Sequence, residues 1–397
     1  MRPPLPLLLP LLLAATALSP AAHAQTAAAE ARRAAAADTT TIVRIGAVAP
    51  LSGSAAHMGK DIENGARMAI DDLNAGKPEI GGRHVKFVLL AEDDGGDPKQ
   101  GTAVAQKLVD AEVAGVVGHL NSGTSVPASR IYAAANIPQI TPAATTPLYT
   151  RQGFQTAFRL VANDNKVGEV LGRYAVHVLK ARRIAVIDDR TAFGQGLADA
   201  FLKGVRAQGT TADAVSRQYT TDRATDFNAI LTQIKARQPD LIFFGGMDAV
   251  AGPLLKQMQA LGMNMRLLSG DGICSERLPQ LAAGALGDNQ VTCAVAGGVT
   301  GNYDAGYRQF VDRYQQRFQL PLQTYAPYAY DAVMLLAKAM QNAGSPLPAN
   351  YLPQLARIQH QGVTGAIAFD RYGDLAKPAV TLYTYRGGRK TRLDIVQ

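Results

Sequence analysis

From residue 42 onward, short apolar runs alternate with amphipathic stretches, and this strand-then-helix repetition is what most narrows the fold. "IVRIGAVAP" reads as a buried strand and 59–74 as an amphipathic helix. "HVKFVLLAEDD" follows as a strand, then a helix opening at Pro98, a residue suited to a first helical turn. "AGVVGHL" leads into a helix over about 125–135, and "IPQITPAA" is a further short strand. The pattern then restarts. A helix over about 163–179 precedes "RRIAVIDD", and helices at 195–208, 226–237 and 249–261 separate the strands "VSRQYT", "DLIFFGG" and "MRLLSGDG". Helices are expected again at 304–319, 326–343 and 350–360. The end, "GAIAFDRYGD" and "AVTLYTYRGGRK", is strand-rich with a turn at Asp370 to Asp374. Such β-α repetition specifies parallel sheets covered by helices. The fold class is therefore α/β: two doubly wound lobes, with a chain that passes between them more than once. Ligands of open α/β sheets sit beyond the carboxyl ends of the strands, so the polar loops at those ends are the candidate site.

The 397-residue length also favours two cores over one. Hydrophobic content of 47% against 18% charged residues is that of a globular chain. No tryptophan is present and aromatics are sparse, which speaks against a surface that stacks sugars or nucleic-acid bases. Arg2, the leucine-rich run Leu7 to Leu18 and the small-x-small site Ala22-His23-Ala24 have the anatomy of a secretory signal peptide, 1–24. The run is too short to span a bilayer as a helix. No cysteine lies near the cleavage site, so a soluble exported protein without a lipid anchor is expected, in the periplasm. Residues 25–41 are Ala-rich and are read as a tether. The formal charge of +8 becomes +7 without Arg2, and the basic residues are scattered. The densest group, Lys180, Arg182 and Arg183, fits a helix C-terminus better than a nucleic-acid interface. Cys274 and Cys293 are the two cysteines, and in an oxidising compartment they are expected to pair. The isolated histidines and the absence of Cys-x-x-Cys predict no metal site.

Three polar turns at strand ends carry chemistry. Ser122, Gly123, Thr124 and Ser125 follow the third strand. They serve either as an ordinary helix cap or, with the helix's free N–H groups, as donors to a bound carboxylate. In "ITPAATTP", Pro142 and Pro147 stiffen a loop whose Ala143 carbonyl and Thr145 hydroxyl can face a ligand. The alternative is a rigid loop alone. Asp271 in "GDG" is an acceptor suited to a cation, or else a simple Asx-type turn. Together the three suit an α-amino acid. "FGQGLADAF" contains Gly-x-Gly but lacks the third glycine, and Asp199 would repel a pyrophosphate, so no dinucleotide cofactor is expected. No nucleophile elbow or Walker motif supports an enzyme.

"IGAVAPLSGSAAHMGKDIENGARMAIDDLNA", "DDGGDPKQGTAVAQKLV", "GHLNSGTSVPAS", "ITPAATTP", "DDRTAFGQGLADAF", "DLIFFGG" and "YAPYAYDAVMLLAKAM" occur in order and cover nearly all of 42–385. With these motifs the chain resembles the leucine–isoleucine–valine-binding proteins, type I periplasmic components of ABC importers. The resemblance implies two Rossmann-like lobes joined by three crossings, lobe I being 42–162 with 296–367 and lobe II 163–295 with 368–397. It implies Ser122 on the ligand carboxylate, Ala143 and Thr145 on the headgroup, Asp271 on the ammonium and Phe193 along the cleft. Met58 and Met247 stand where the family often has tyrosine, Asp271 where it often has glutamate, and Phe193 where it often has tyrosine. Phe193 and Tyr325 are expected to govern which side chain fits. The family's first-lobe disulfide is missing, since Gly96 and Asn121 occupy its positions. The function implied is capture of an apolar α-amino acid by a monomer that docks on a membrane ABC permease. Another small carboxylate or amide, such as an aromatic acid, remains open, as does a sensory ligand-binding protein.

Overall fold

The computed structural model describes residues 40–209, 211–299 and 304–396. The expected signal peptide and residues 25–39 of the tether lie outside them. Thr41, read as the end of the tether, is instead the first residue of β1, paired with Val85.

The first sheet is built from β1 (Thr41–Ala49), β2 (Glu79–Ile80), β3 (Arg83–Asp93), β4 (Gly115–Gly118), β5 (Gln139–Thr141) and β6 (Ala157–Arg159), in the order β2-β3-β1-β4-β5-β6. Its pairs are parallel except β2 with β3. Between the strands run α1 (Ala56–Ala75), α2 (Pro98–Asp110) and α3 (Ser122–Ala134). The period-2 geometry of a strand sends alternate side chains to opposite faces. Ile45 and Ala47 thus enter the cluster of Ile62 and Ala66 on α1, while Val48 joins Val104 and Leu108 of α2 and Ala128 and Tyr132 of α3.

After β6 the chain enters α4 (Asp164–Arg173), continued by a π-helical turn over Tyr174–Val178. The second sheet then forms from β7 (Arg183–Asp188), β8 (Asp213–Tyr219), β9 (Leu241–Gly245), β10 (Arg266–Ser269) and β11 (Val291–Val295). Its helices are α5 (Ala192–Arg206), α6 (Asn228–Ala236), α7 (Asp248–Ala260) and the short α8 (Leu278–Leu281). The alternation repeats here: Ile184 and Val186 pack with Val167, Leu171 and Phe201, whereas Ala185 and Ile187 pack with Leu231, Leu254 and Met258. A β-carbon on Gly168 would lie 2.4 Å from the backbone of Ala200, so α4 and α5 approach backbone to backbone.

The chain then returns to the first sheet with α9 (Asp304–Phe318), α10 (Ala326–Ala343) and α11 (Pro348–Ala356), and forms the hairpin β12 (His360–Gly362) and β13 (Gly365–Ile367). On α10, Ala329, Val333, Leu336 and Met340 complete the core beneath α1. Finally β14 (Val380–Arg386) and β15 (Arg389–Val396) add antiparallel strands to the second sheet, giving β15-β14-β11-β10-β9-β7-β8. The chain therefore passes between the sheets three times, and the passages bond to one another. The Ala162 amide donates to Ala296, and the Arg159 amide to Gly373.

Three details differ from the sequence reading. The helix expected at 350–360 starts at Pro348 and stops at Ala356, because His360 to Gly362 pair with β13. The strands β2, β6 and β11 were not foreseen; β2 and β6 are two and three residues long, and each is defined by its sheet partners. In the strand-rich stretch "GAIAFDRYGD" the strand proper is Gly365 to Ile367, and Phe369 bridges to Leu375 across the expected turn at Asp370 to Asp374.

Cys274 and Cys293 form the expected disulfide, their α-carbons 5.5 Å apart and 19 residues apart in sequence. The bond ties β11 to the turn following β10. Replacing both cysteines by alanine is expected to lower the unfolding free energy by about 3 kcal/mol, the loop-closure value for such a span. Denaturant titration of the oxidised parent and the double variant measures it; equal midpoints would refute it.

Candidate functional site

The β4–α3 turn places the first group. Its N-cap is Asn121, not Ser or Thr, and Ser122 is the first helical residue. The helix thus begins three residues earlier than the sequence pattern predicts, and its first-turn amides point out of its end. Thr124 and Ser125 donate back to the carbonyls of Asn121 and His119, at 3.0 and 3.2 Å. Ser122 is left facing the neighbouring loop, and its hydroxyl accepts from the Thr146 amide at 3.4 Å. His119 is wholly buried between Asp94 (2.8 Å) and Tyr132 (3.2 Å). Its carbonyl also accepts from Thr141 at 2.9 Å, so it draws the turn and the next loop together.

That loop, 141–150, is held by a buried ion pair. Arg159 donates to the carbonyls of Ala144 (3.0 Å) and Thr146 (2.8 Å). Its other nitrogens reach Thr150 and Asp374, the latter at 2.6 Å. Burial alone would raise the Asp374 pKa, but the charge and hydrogen bonds of Arg159, with Thr150 and Arg151, hold it below the usual carboxylate range. Thr145 is left with a buried hydroxyl that has no hydrogen-bond partner.

The second sheet supplies the opposite wall from the carboxyl ends of β7, β9 and β10, namely Phe193, Met247 and Asp271. The turn at Asp271 needs its glycine. A β-carbon on Gly272 would lie 2.5 Å from the Gly246 carbonyl oxygen and under 3 Å from Phe193 and Met247. Tyr325, the N-cap of α10 on the first-sheet side, donates to Asp271 at 2.7 Å. Burial pushes the Asp271 pKa up to about 6, although this hydrogen bond and nearby backbone amides oppose the rise.

These groups enclose one cavity. Its lining includes Leu120, Asn121, Ser122, Ala143, Ala144 and Thr145 from the first sheet's loops, together with Tyr325. Phe193, Met247, Asp271 and Gly272 close the other side. As drawn it measures about 20 Å³, room for about one water molecule. Anything larger enters only if the walls part. The Thr145 hydroxyl is buried without a partner, and Thr145 lines the cavity. An unpartnered buried polar atom is destabilising, so this hydroxyl is a group that a polar ligand would satisfy. The chemistry is two-sided, with donors and a helix end on one wall and a carboxylate on the other.

A second link crosses between the sheets nearby. His57 on α1 meets Asp248 at the start of α7 at 3.0 Å and Arg277 at 3.1 Å, and Ser275 donates to the same Asp248 oxygen. With Tyr325 and Asp271, this contact favours the closed arrangement.

Seven of the eight residues expected at the site line this cavity: Ser122, Ala143, Thr145, Phe193, Met247, Asp271 and Tyr325. Met58 does not. It is buried in the core with Ile62 and Ala66, because it lies on the inward face of α1. Gly96 and Asn121, which replace the family's cysteine pair, are neighbours: a β-carbon on Gly96 would lie 3.4 Å from the Asn121 side chain. Sequence reasoning missed Asp164, the first residue of α4. It is fully buried and neither carboxylate oxygen has a hydrogen-bond partner. Burial raises its pKa to about 7; the adjacent Thr145 hydroxyl opposes this without a well-formed hydrogen bond, and Asp271 adds to it. An acid at a helix N-terminus is common, so the sequence held no signal that separated it from an ordinary first-turn aspartate.

Among the described residues no cluster could hold a metal ion, and no helix is long and apolar enough to cross a membrane.

The family model described as "Periplasmic binding protein" matches residues 42–390. An amino acid binding protein of Pseudomonas aeruginosa is 35% identical over 86% of this chain and 90% of its own. The Leu/Ile/Val-binding protein homolog 1 of Brucella abortus is 33% identical over 89% of this chain and 93% of its own. Among solved structures, the branched-chain amino acid transporter substrate binding protein of Streptococcus pneumoniae, in complex with isoleucine, superposes with a TM-score of 0.79 at 26% identity. That alignment covers 90% of this chain and 99% of the other.

Proposed function

We propose that this chain, which belongs to the periplasmic binding protein family, captures an apolar α-amino acid between its two lobes and delivers it to a membrane ABC permease. One observation carries the reading: Ser122, Ala143 and Thr145 on one lobe and Asp271 on the other converge on a single buried cavity. A zwitterion enclosed there has both charges matched, which burial requires. Ser122, Thr145 and the first-turn amides of α3 take the carboxylate. The Ala143 carbonyl and Asp271 take the ammonium, and Phe193, Met247 and Tyr325 bound the side chain. The lobes are 42–162 with 296–367, and 163–295 with 368–397. The relatives named above are binding proteins, and we assign this chain no catalytic step.

A ligand that touches both lobes favours the closed state over the open one. Small-angle scattering is therefore expected to give a smaller radius of gyration in saturating leucine than without it. An unchanged profile at saturation, with binding shown by thermal shift, would count against the clamp.

Binding is also expected to depend on pH. The raised pKa values of Asp271 (about 6) and Asp164 (about 7) mean that the closed protein without ligand holds protons that the unfolded chain releases. Their contribution to stability is present below the ordinary carboxylate range and is lost as pH rises through those values. A ligand ammonium pairs with the ionised form and relieves that loss. The rise in melting temperature caused by leucine should thus grow between about pH 5 and about pH 8. A rise that is flat or that shrinks over this range would contradict an ammonium beside Asp271.

A further inference from the structure

A second and much larger space, about 930 Å³, shares no lining residue with the closed cavity. All three passages between the sheets contribute to it: Leu160 from the first, Gly297 and Gly298 from the second, and Ile367, Ala368 and Leu375 to Ala379 from the third. Its volume is in the range that holds small organic ligands. The walls are largely apolar, with Leu160, Tyr328, Ile367 and Pro378 among them. Its charge is one-sided. Lys166 and Lys377 both line it, and no Asp or Glu is among its described lining residues. Apolar walls with unopposed ammonium groups complement a molecule that carries an apolar body and one negative charge.

We infer that this groove binds a small amphipathic carboxylate, its tail against Leu160, Tyr328, Ile367 and Pro378 and its charge beside Lys166 and Lys377. The site spans the segments about which the lobes move, so its occupant favours one setting of them. This second step rests on the clamp reading given above. By linkage, whatever factor the groove ligand imposes on cleft affinity, the cleft ligand imposes on groove affinity.

Calorimetry on the signal-free chain, with octanoate as the probe and octylamine as its cationic counterpart, tests both steps. Octanoate is expected to bind the parent and Asp271→Asn alike. Ala366→Trp fills the groove from a position that is exposed, so the fold should tolerate it. This variant, and the double variant Lys166→Glu with Lys377→Glu, should each weaken octanoate by about tenfold or more. Octylamine should bind the parent more weakly than octanoate does. No octanoate binding, binding lost in Asp271→Asn, or binding untouched by the groove variants would overturn the site. Leucine titrated into the parent with and without saturating octanoate reads the coupling. Equal affinities overturn the coupling and leave the site standing. A parent that binds octanoate but no amino acid would instead overturn the proposed function.

Discussion

Asp271→Asn is expected to weaken leucine binding by roughly 2–4 kcal/mol, about 30- to 1,000-fold, while leaving the fold at least as stable. The asymmetry follows from the site. Asparagine keeps the size of the side chain and still accepts from the Tyr325 hydroxyl, which donates to Asp271 at 2.7 Å. Burial already favours the uncharged form, since it raises the Asp271 pKa to about 6. The folded protein therefore loses little with the charge, whereas a ligand ammonium loses its counter-charge inside a closed cavity. Ser122→Ala should cost less, about 1–2 kcal/mol, because the helix amides remain as donors. Calorimetry gives the affinities and thermal melting gives the stability. A variant that binds leucine as the parent does would remove Asp271 from the ammonium role, and one that melts well below the parent would show that Asp271 serves the fold first.

Removing either partner of the Arg159–Asp374 pair should destabilise the protein by about 3–5 kcal/mol. The loss of Asp374 should cost most, since it leaves Arg159 buried without a paired carboxylate, whereas Asp374 keeps Arg151 at 3.0 Å when Arg159 is lost. Arg159 is inaccessible to solvent and Asp374 nearly so. Arg159→Met also frees the carbonyls of Ala144 and Thr146, so the loop that presents Ala143 and Thr145 loses its anchor. Leucine affinity should fall along with stability, even though neither residue lines the cavity. Since the Asp374 pKa is depressed, the pair's contribution is full above the ordinary carboxylate range and fades as pH falls through the depressed value. The double variant Arg159→Met with Asp374→Leu removes both charges and should be less damaged than the sum of the single variants. Denaturant titration of the three variants checks the ordering. A single variant within about 1 kcal/mol of the parent would contradict it.

Periodicity disclosed both sheets, because buried parallel strands are continuous apolar runs between amphipathic helices, as "IVRIGAVAP" and "DLIFFGG" are. The site was legible for the same reason. Ser122, Ala143, Asp271 and their neighbours stand at the carboxyl ends of strands, and strand ends can be read locally. What escaped was non-local. Nothing around Arg159 announces a partner 215 residues away, nor around His57 one 191 residues away. β11 needs β10 and the late-arriving β14 to be a strand at all. Met58 is buried outside the cavity lining, and a helix pattern gives the inward face without saying whether that face looks at the core or the cleft. Asp164 looked like any first-turn acid until burial on all sides set it apart.

The central claim is that both ends of an α-amino acid headgroup are recognised at once, Ser122 and Thr145 holding one and Asp271 the other. Titrating the protein with leucine, with 4-methylpentanoate, which lacks the ammonium, and with 3-methylbutylamine, which lacks the carboxylate, tests this directly. Leucine is expected to bind at least about 100-fold more tightly than either analogue, since each analogue leaves one set of buried polar groups unpaired. Binding of 4-methylpentanoate as tight as that of leucine would contradict the account and identify a site that reads a carboxylate alone.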